Sequence, residues 1–297
     1  MKRISIAIAA LALMVNVWAC CCVVPPDVHI NGRPVLDVGP LQEKDETVPL
    51  DGAESANVEI LFGAGDLEVY ATDSDNLFVG NFVYNVEAWE PRITQDGDRL
   101  RIEQGGDEDA WGWPDGSGSP RNEWKLEFSP DVLLDMDIKA GAGEGNLDLT
   151  GLQLERLNVD MGAGDFAVRF DEATDAKMER LTINAGAGKI DADAVGNVSP
   201  RDVVVQGGAG DITLDLTGAW SQSADIEITA GVGSLALRLP ADVGVQVDVE
   251  GGLSSVSTSG LTKSGGDYVN EIYGDSEIEL TVKITTGIGD IDLRVVE

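Results

Sequence analysis

The sequence predicts an all-β chain built as a single-domain β-solenoid with repeats of about 22 residues. Three observations carry this. One unit recurs along the chain: apolar alternation, Gly-x-Gly, usually an acidic residue, then apolar alternation again. The flanks of each unit have a period of two, which sends alternate side chains to opposite faces of a strand. No convincing amphipathic helix follows Trp18; the best candidate, residues 171–180, reads as a polar excursion or one helical turn.

The N-terminus reads as an export signal over residues 1–19. Lys2 and Arg3 give a short positive start, and Ile4 to Trp18 is apolar except for Ser5 and Asn16. That stretch has the length of a signal core and is short for a membrane span. It ends at Val17-Trp18-Ala19-Cys20, which resembles the lipobox of bacterial lipoproteins, although Trp18 departs from the pattern. The resemblance implies lipidation of Cys20 and anchoring to a membrane of the cell envelope. The alternative is an ordinary secretory signal cut near Ala19, with Cys20, Cys21 and Cys22 left as thiols or a disulfide. Residues 20–46 then form an extended tether carrying Pro25, Pro26, Pro34 and Pro40, and His29 lies in it as a bystander.

The repeat domain spans residues 47–297. Its turns centre on Gly63 and Gly65, Gly141 and Gly143, Gly162 and Gly164, Gly186 and Gly188, Gly208 and Gly210, Gly231 and Gly233, and Gly287 and Gly289. From Gly141 to Gly231 the first glycines step by 21, 24, 22 and 23 residues. A weaker copy lies at Gly251-Gly252-Leu253. Glycine suits a corner between two strands because it accepts positive φ and lets neighbouring corners stack closely. The flanking residues, such as Val58 and Ile60 before a turn and Leu67 and Val69 after it, form the expected core.

Two stretches break the period. Between Leu77 and Phe128 no Gly-x-Gly unit occurs, though strands are expected at 77–86, 99–103 and 123–128. Within it, residues 104–122 read as a surface loop insertion rich in Gly, Asp and Pro. Trp111, Trp113 and nearby Trp124 are candidate binding aromatics there, either a platform for a glycan or protein partner or a cap folded back on the solenoid. The second break, residues 257–276, reads as a hairpin. The final strand, 291–296, is expected to pair inside the domain, with 278–284 just upstream to meet it.

The unit Val58–Val69 resembles the bacterial "toast-rack" or "putative adhesin" domains. Gly231–Pro240 and Thr286–Ile291 are similar to the C-terminal domain of LiaF-type cell-envelope stress proteins. The resemblance implies a β-rich, solenoid-like envelope domain, in many members without an assigned activity, and it supplies no catalytic residue.

Composition bounds the chemistry. With 53 acidic and 20 basic residues the formal charge is −33, which disfavours nucleic acid and anionic lipid head groups as partners. One histidine and three adjacent cysteines leave little material for a histidine triad or a His/Cys metal site. Gly207–Asp211 resembles a calcium repeat, but Lys189 stands between Asp165 and Asp211 at the position after the turn. Lys189 is expected to pair with one of those two aspartates. Together with the resemblance, this gives the expected function: a non-enzymatic, envelope-anchored adhesin-like or scaffold module with an unknown protein or glycan partner, no cofactor, no metal and no catalytic residue, with envelope stress sensing as a narrower expectation. The alternatives are a calcium- or glycan-binding β-helix protein or a polysaccharide-active enzyme.

Overall fold

The computed structural model describes residues 38–106 and 118–296, and the described part is almost entirely β. The strands are β1 (Val38–Pro49), β2 (Ser55–Ala71), β3 (Asn76–Val86), β4 (Arg92–Asp96), β5 (Arg99–Glu103), β6 (Asn122–Phe128), β7 (Leu133–Asp148) and β8 (Gln153–Arg169). They continue as β9 (Arg180–Asp193), β10 (Asp202–Asp215), β11 (Ala224–Val232), β12 (Leu235–Pro240), β13 (Gly244–Ser259), β14 (Thr262–Ser264), β15 (Asp267–Val269) and β16 (Glu279–Val296). Among the described residues, the helical elements between them are two short 3-10 turns, at Glu87–Trp89 and Val195–Val198.

The long strands stack in parallel, each crossing a glycine corner at its middle. β2, β7, β8, β9 and β10 follow one another, then β11 with β12 as one broken strand, then β16, then β13. Register is held through every corner: Gly65 pairs with Gly143, Gly143 with Gly164, Gly164 with Gly188 and Gly188 with Gly210. Equivalent side chains therefore form rows. Before the corner one row runs Ile60, Ile138, Val159, Ile183, Val205, Ile228, Ile284 and Val249. Its first seven members are fully buried. After the corner another runs Leu67, Gly145, Phe166, Ile190, Ile212, Leu235, Ile291 and Val256. A Cβ on Gly145 would collide with the Phe166 ring, so the absent side chain in one rung makes room for a large one in the next.

Because each strand bends at its middle, the inward faces of both arms converge on one core. The segments that return from one rung to the next add Leu149, Leu152, Phe170, Met178, Val195, Val198, Leu216 and Trp220 to it, all buried. Each such aliphatic or aromatic side chain contributes about 1.5–3 kcal/mol when fully removed from water.

The ends depart from the sequence-based expectation. Strand structure begins at Val38 rather than residue 47, because β1 pairs antiparallel with β3. The final segment is not a terminal hairpin. β16 lies between β11/β12 on one side and β13 on the other, and residues 278–284 are its own pre-corner arm rather than its partner. Internal pairing of the last strand is thus what the structure shows, with different neighbours from those expected. The second break holds a hairpin, but only over β14 and β15; residues 257–259 continue β13, and Gly252 takes the corner place of Gly287. The stretch 171–179 contains bends without a helix, and Arg180 begins β9.

The corner at Gly164 shows why the repeat needs glycine. Its φ is +132°, and a Cβ there would fall onto the Gly143 carbonyl oxygen of the neighbouring rung. Gly266 has nothing within 4 Å of the same added atom and no positive φ. Gly164→Ala is therefore expected to cost more than about 3 kcal/mol of stability, whereas Gly266→Ala stays within about 0.5 kcal/mol of the parent. Denaturant melts of the two variants check this, and similar midpoints would contradict the stacked corner.

Candidate functional site: a groove beside the glycine corners

The insertion at residues 104–122 interrupts a rung at its corner. β5 pairs with the pre-corner arm of β2, and β6 pairs with its post-corner arm. The glycine turn that would join β5 to β6 is replaced by the insertion. Its two ends rebuild the missing corner with amide side chains. Gln104 Oε1 accepts from the Gly63 N–H at 2.8 Å and from Asn122 Nδ2 at 2.9 Å. Asn122 Nδ2 also donates to the Ala64 carbonyl at 2.8 Å. Two side-chain amides thus satisfy backbone groups that a neighbouring corner would otherwise meet.

The third tryptophan belongs to this arrangement rather than to a binding platform. Trp124 is 0% exposed, packed edge-on against Phe62 and Phe82 with ring centroids 5.1 Å away in each case. Its indole N–H donates to Asn122 Oδ1 at 2.9 Å. It offers no exposed ring face, so the expectation of a binding role is corrected: Trp124 lies on the inner face of β6 with Leu126 and Phe128. Trp111 and Trp113 lie outside the described residues, as do Cys20 and His29.

From the insertion a groove of about 1340 Å³ extends over the outer surface of the stack. Its floor is the backbone at Gly63, Gly141, Gly162, Gly186 and Gly208, where no side chain projects. One wall holds Trp89, Gln104 and Pro120; along the other, Lys139, Asp160, Asn184, Gln206 and Thr229 succeed one another rung by rung. Among the described residues, the charged ones lining it are Arg101, Lys139, Glu103 and Asp160, two of each sign.

These charges are locally committed. Arg101 donates to Glu103 at 2.8 Å and to Glu59 at 2.6 Å. The hydrogen bond to Glu103, reinforced by both carboxylates, holds its guanidinium above the ordinary range. Lys139 is raised likewise, first by its bond to Asp137. Asp160 accepts from Asn184 at 2.7 Å and from Asn158 at 2.9 Å. Gln206 and Thr229 are exposed at the far end of the wall.

The glycines singled out from the sequence all stand at corners, and the structure brings them into two adjacent columns. The position after the corner does not behave as expected at Lys189. It bonds Asp191 on its own strand, two residues on, and that bond is the main cause of its raised pKa; Asp165 and Asp211 act only at longer range. Asp211 instead accepts from the Ser234 side chain and backbone, which lowers its pKa. Among the described residues no three His, Cys, Asp or Glu side chains are grouped to hold a metal ion.

Gln104 and Asn122 were not singled out from the sequence. The signal that was there is weak: an amide residue at each end of the interruption, immediately after one alternating strand and before the next.

Comparison with known proteins follows the fold. The family model described as the N-terminal domain of toast_rack matches residues 37–193 and again 179–238. Among proteins of curated function, none matches the chain. Of the solved structures, a "putative cell adhesion protein" from Clostridium sporogenes is 22% identical, with a TM-score of 0.46, over 86% of this chain and 100% of its own. A "putative adhesin" from Bacteroides fragilis is 16% identical, with a TM-score of 0.40, over 87% and 99%. A "putative lipid binding protein" from Parabacteroides distasonis is 12% identical, with a TM-score of 0.34, over 89% and 100%. The family model spans both β5/β6, where the corner is rebuilt by amides, and the glycine corners from β2 to β10, and by that match the chain belongs to the toast-rack family.

Proposed function

We propose that this chain is a non-enzymatic lipoprotein of the bacterial cell envelope, whose β-solenoid makes adhesin-like contacts with a glycan. The groove beside the corners carries the reading. Its lining offers amides, a hydroxyl and the Trp89 ring, and the charges among its described lining residues cancel. That mixture suits a hydroxyl-rich, uncharged polymer, because each polar group finds a partner and no net charge is desolvated. The groove also runs across successive rungs, so a linear chain of sugars would meet the same backbone floor repeatedly. The acidic remainder of the surface keeps the domain hydrated and repels anionic polymers. A link to envelope stress sensing is a narrower version of the same reading.

The anchor rests on Cys20 and the apolar segment before it. Among the described residues no helix is long and apolar enough to cross a membrane. Cys20→Ala is expected to move the protein from the membrane pellet to the soluble fraction, because the acyl chains are its proposed anchor. Retention in the pellet after carbonate and high salt would contradict lipid anchoring.

For the groove, the purified protein is titrated with a panel of neutral and acidic oligosaccharides by calorimetry. A neutral member is expected to bind, and Gln206→Ala together with Trp89→Ala is expected to weaken that binding by roughly tenfold, a loss of about 1.4 kcal/mol, without altering the melt. Preference for acidic sugars, or binding untouched by the double variant, would remove the groove from the account.

A further inference from the structure

The two ends of the stack are treated differently. At the first end the open edges belong to β1 and β4. β1 carries Pro40, Glu43, Lys44, Asp45 and Glu46, and β4 carries Arg92 and Asp96. Charges and proline on an edge strand discourage pairing with another chain. At the other end the edge belongs to β13. Among the described residues, β15 pairs with Gln246 and Val247, Asn270 bonds Val245, and no strand pairs with the rest of that edge.

β13 carries Asp248 and Glu250 before its corner, and beyond them this second edge lacks such guards. Gly251 to Thr262 is a run of twelve residues without a charge or a proline, in a chain of formal charge −33. The rung of β11 and β12 is uncharged over Ile228–Leu237 and β16 over Ile284–Gly289, after which Asp290 and Asp292 stand beside Ser255 and Ser257. The middle residue of the corner changes there too. It is alanine at 64, 142, 163, 187 and 209, and then Val232, Ile288 and Leu253 in successive rungs. These three are 56%, 54% and 79% exposed and form a continuous apolar ridge. Val256, a member of the inner row, is 37% exposed, so the core itself is incompletely covered at this end.

We propose that this end is a self-association surface, on which a second copy of the chain pairs antiparallel along β13 about a two-fold axis at Val256. The segment is self-complementary in that arrangement. Val256 faces Val256, Ser255 faces Ser257 and Ser254 faces Thr258, so apolar meets apolar at the axis and hydroxyl meets hydroxyl on either side of it, while Leu253 lies opposite Ser259. Charge selects the same occupant. Two copies of so acidic a molecule repel one another over most of their surface, and the charge-free run 251–262 is where they can approach with least repulsion. The pairing would satisfy the unpaired backbone groups of β13 and close the open end of the core. It is independent of what the groove binds.

The test is sedimentation velocity of the purified full chain bearing Cys20→Ala, under reducing conditions so that neither lipid nor disulfide drives association. A reversible dimer is expected that strengthens as salt rises, because screening removes like-charge repulsion. Leu253→Lys and Ser257→Lys, both at exposed positions, are each expected to raise the dissociation constant by at least about tenfold, while Ala142→Lys at the exposed corner of β7 leaves it within about twofold. Thermal melts establish that each variant is folded. A chain monomeric up to about 100 µM would overturn the proposal. So would a dimer that weakens with salt or ignores the Leu253 and Ser257 changes. A monomer that binds an unrelated extended peptide at this edge, or that dimerises only after residues 1–37 are removed, would also overturn it, assigning the edge to another protein or to the tether.

Discussion

The structure depends on the close approach of backbone to backbone at the glycine corners. At Gly164 the carbonyl oxygen of Gly143 occupies the space that a Cβ would need, and the same relation recurs from Gly143 to Gly289. Only with no side chain there can one rung settle on the next at strand spacing while the chain turns. Once the corners are stacked, both arms of every rung are held in register. Each apolar residue then meets its counterpart above and below. A slip of one residue would send whole rows of core side chains to the outside.

The same constraint creates the surface that the proposed function uses. Corners without side chains leave a bare backbone floor, and polar residues from successive rungs rise beside it as a wall. Where the chain interrupts a corner, it must still satisfy Gly63 and Ala64, and Gln104 and Asn122 do so with their amides. The insertion is thereby fixed at both ends to the mouth of the groove. Buried Trp124 secures Asn122 through its indole N–H and through two edge-on aromatic contacts.

Much of this was legible because it is local. Gly-x-Gly with alternating flanks is written within each unit, and the bounds of β5 agree with the expected 99–103. What escaped is non-local. Nothing in the order of the units says that β16 enters the stack before β13, placing Ile284 and Ile291 beside Ile228 and Leu235. β1 was missed because an edge strand with charges at 43–46 shows no apolar alternation. Trp124 was grouped with the loop tryptophans, although its spacing to Leu126 and Phe128 already marked an inward-facing strand.

The central claim is that rungs far apart in sequence stand one strand spacing apart in a single file. It is tested most directly by spin-label distances from Ala64 to the other corner positions, in a chain whose Cys20, Cys21 and Cys22 are replaced by Ser. With about 4.8 Å per rung, the separations are expected near 19 Å to position 209, 24 Å to 232, 29 Å to 288 and 34 Å to 253. The step from 209 to 232 should equal the step from 232 to 288, although the second spans more than twice as many residues. A distance to 253 shorter than that to 288, or increments that follow sequence separation, would contradict the stack.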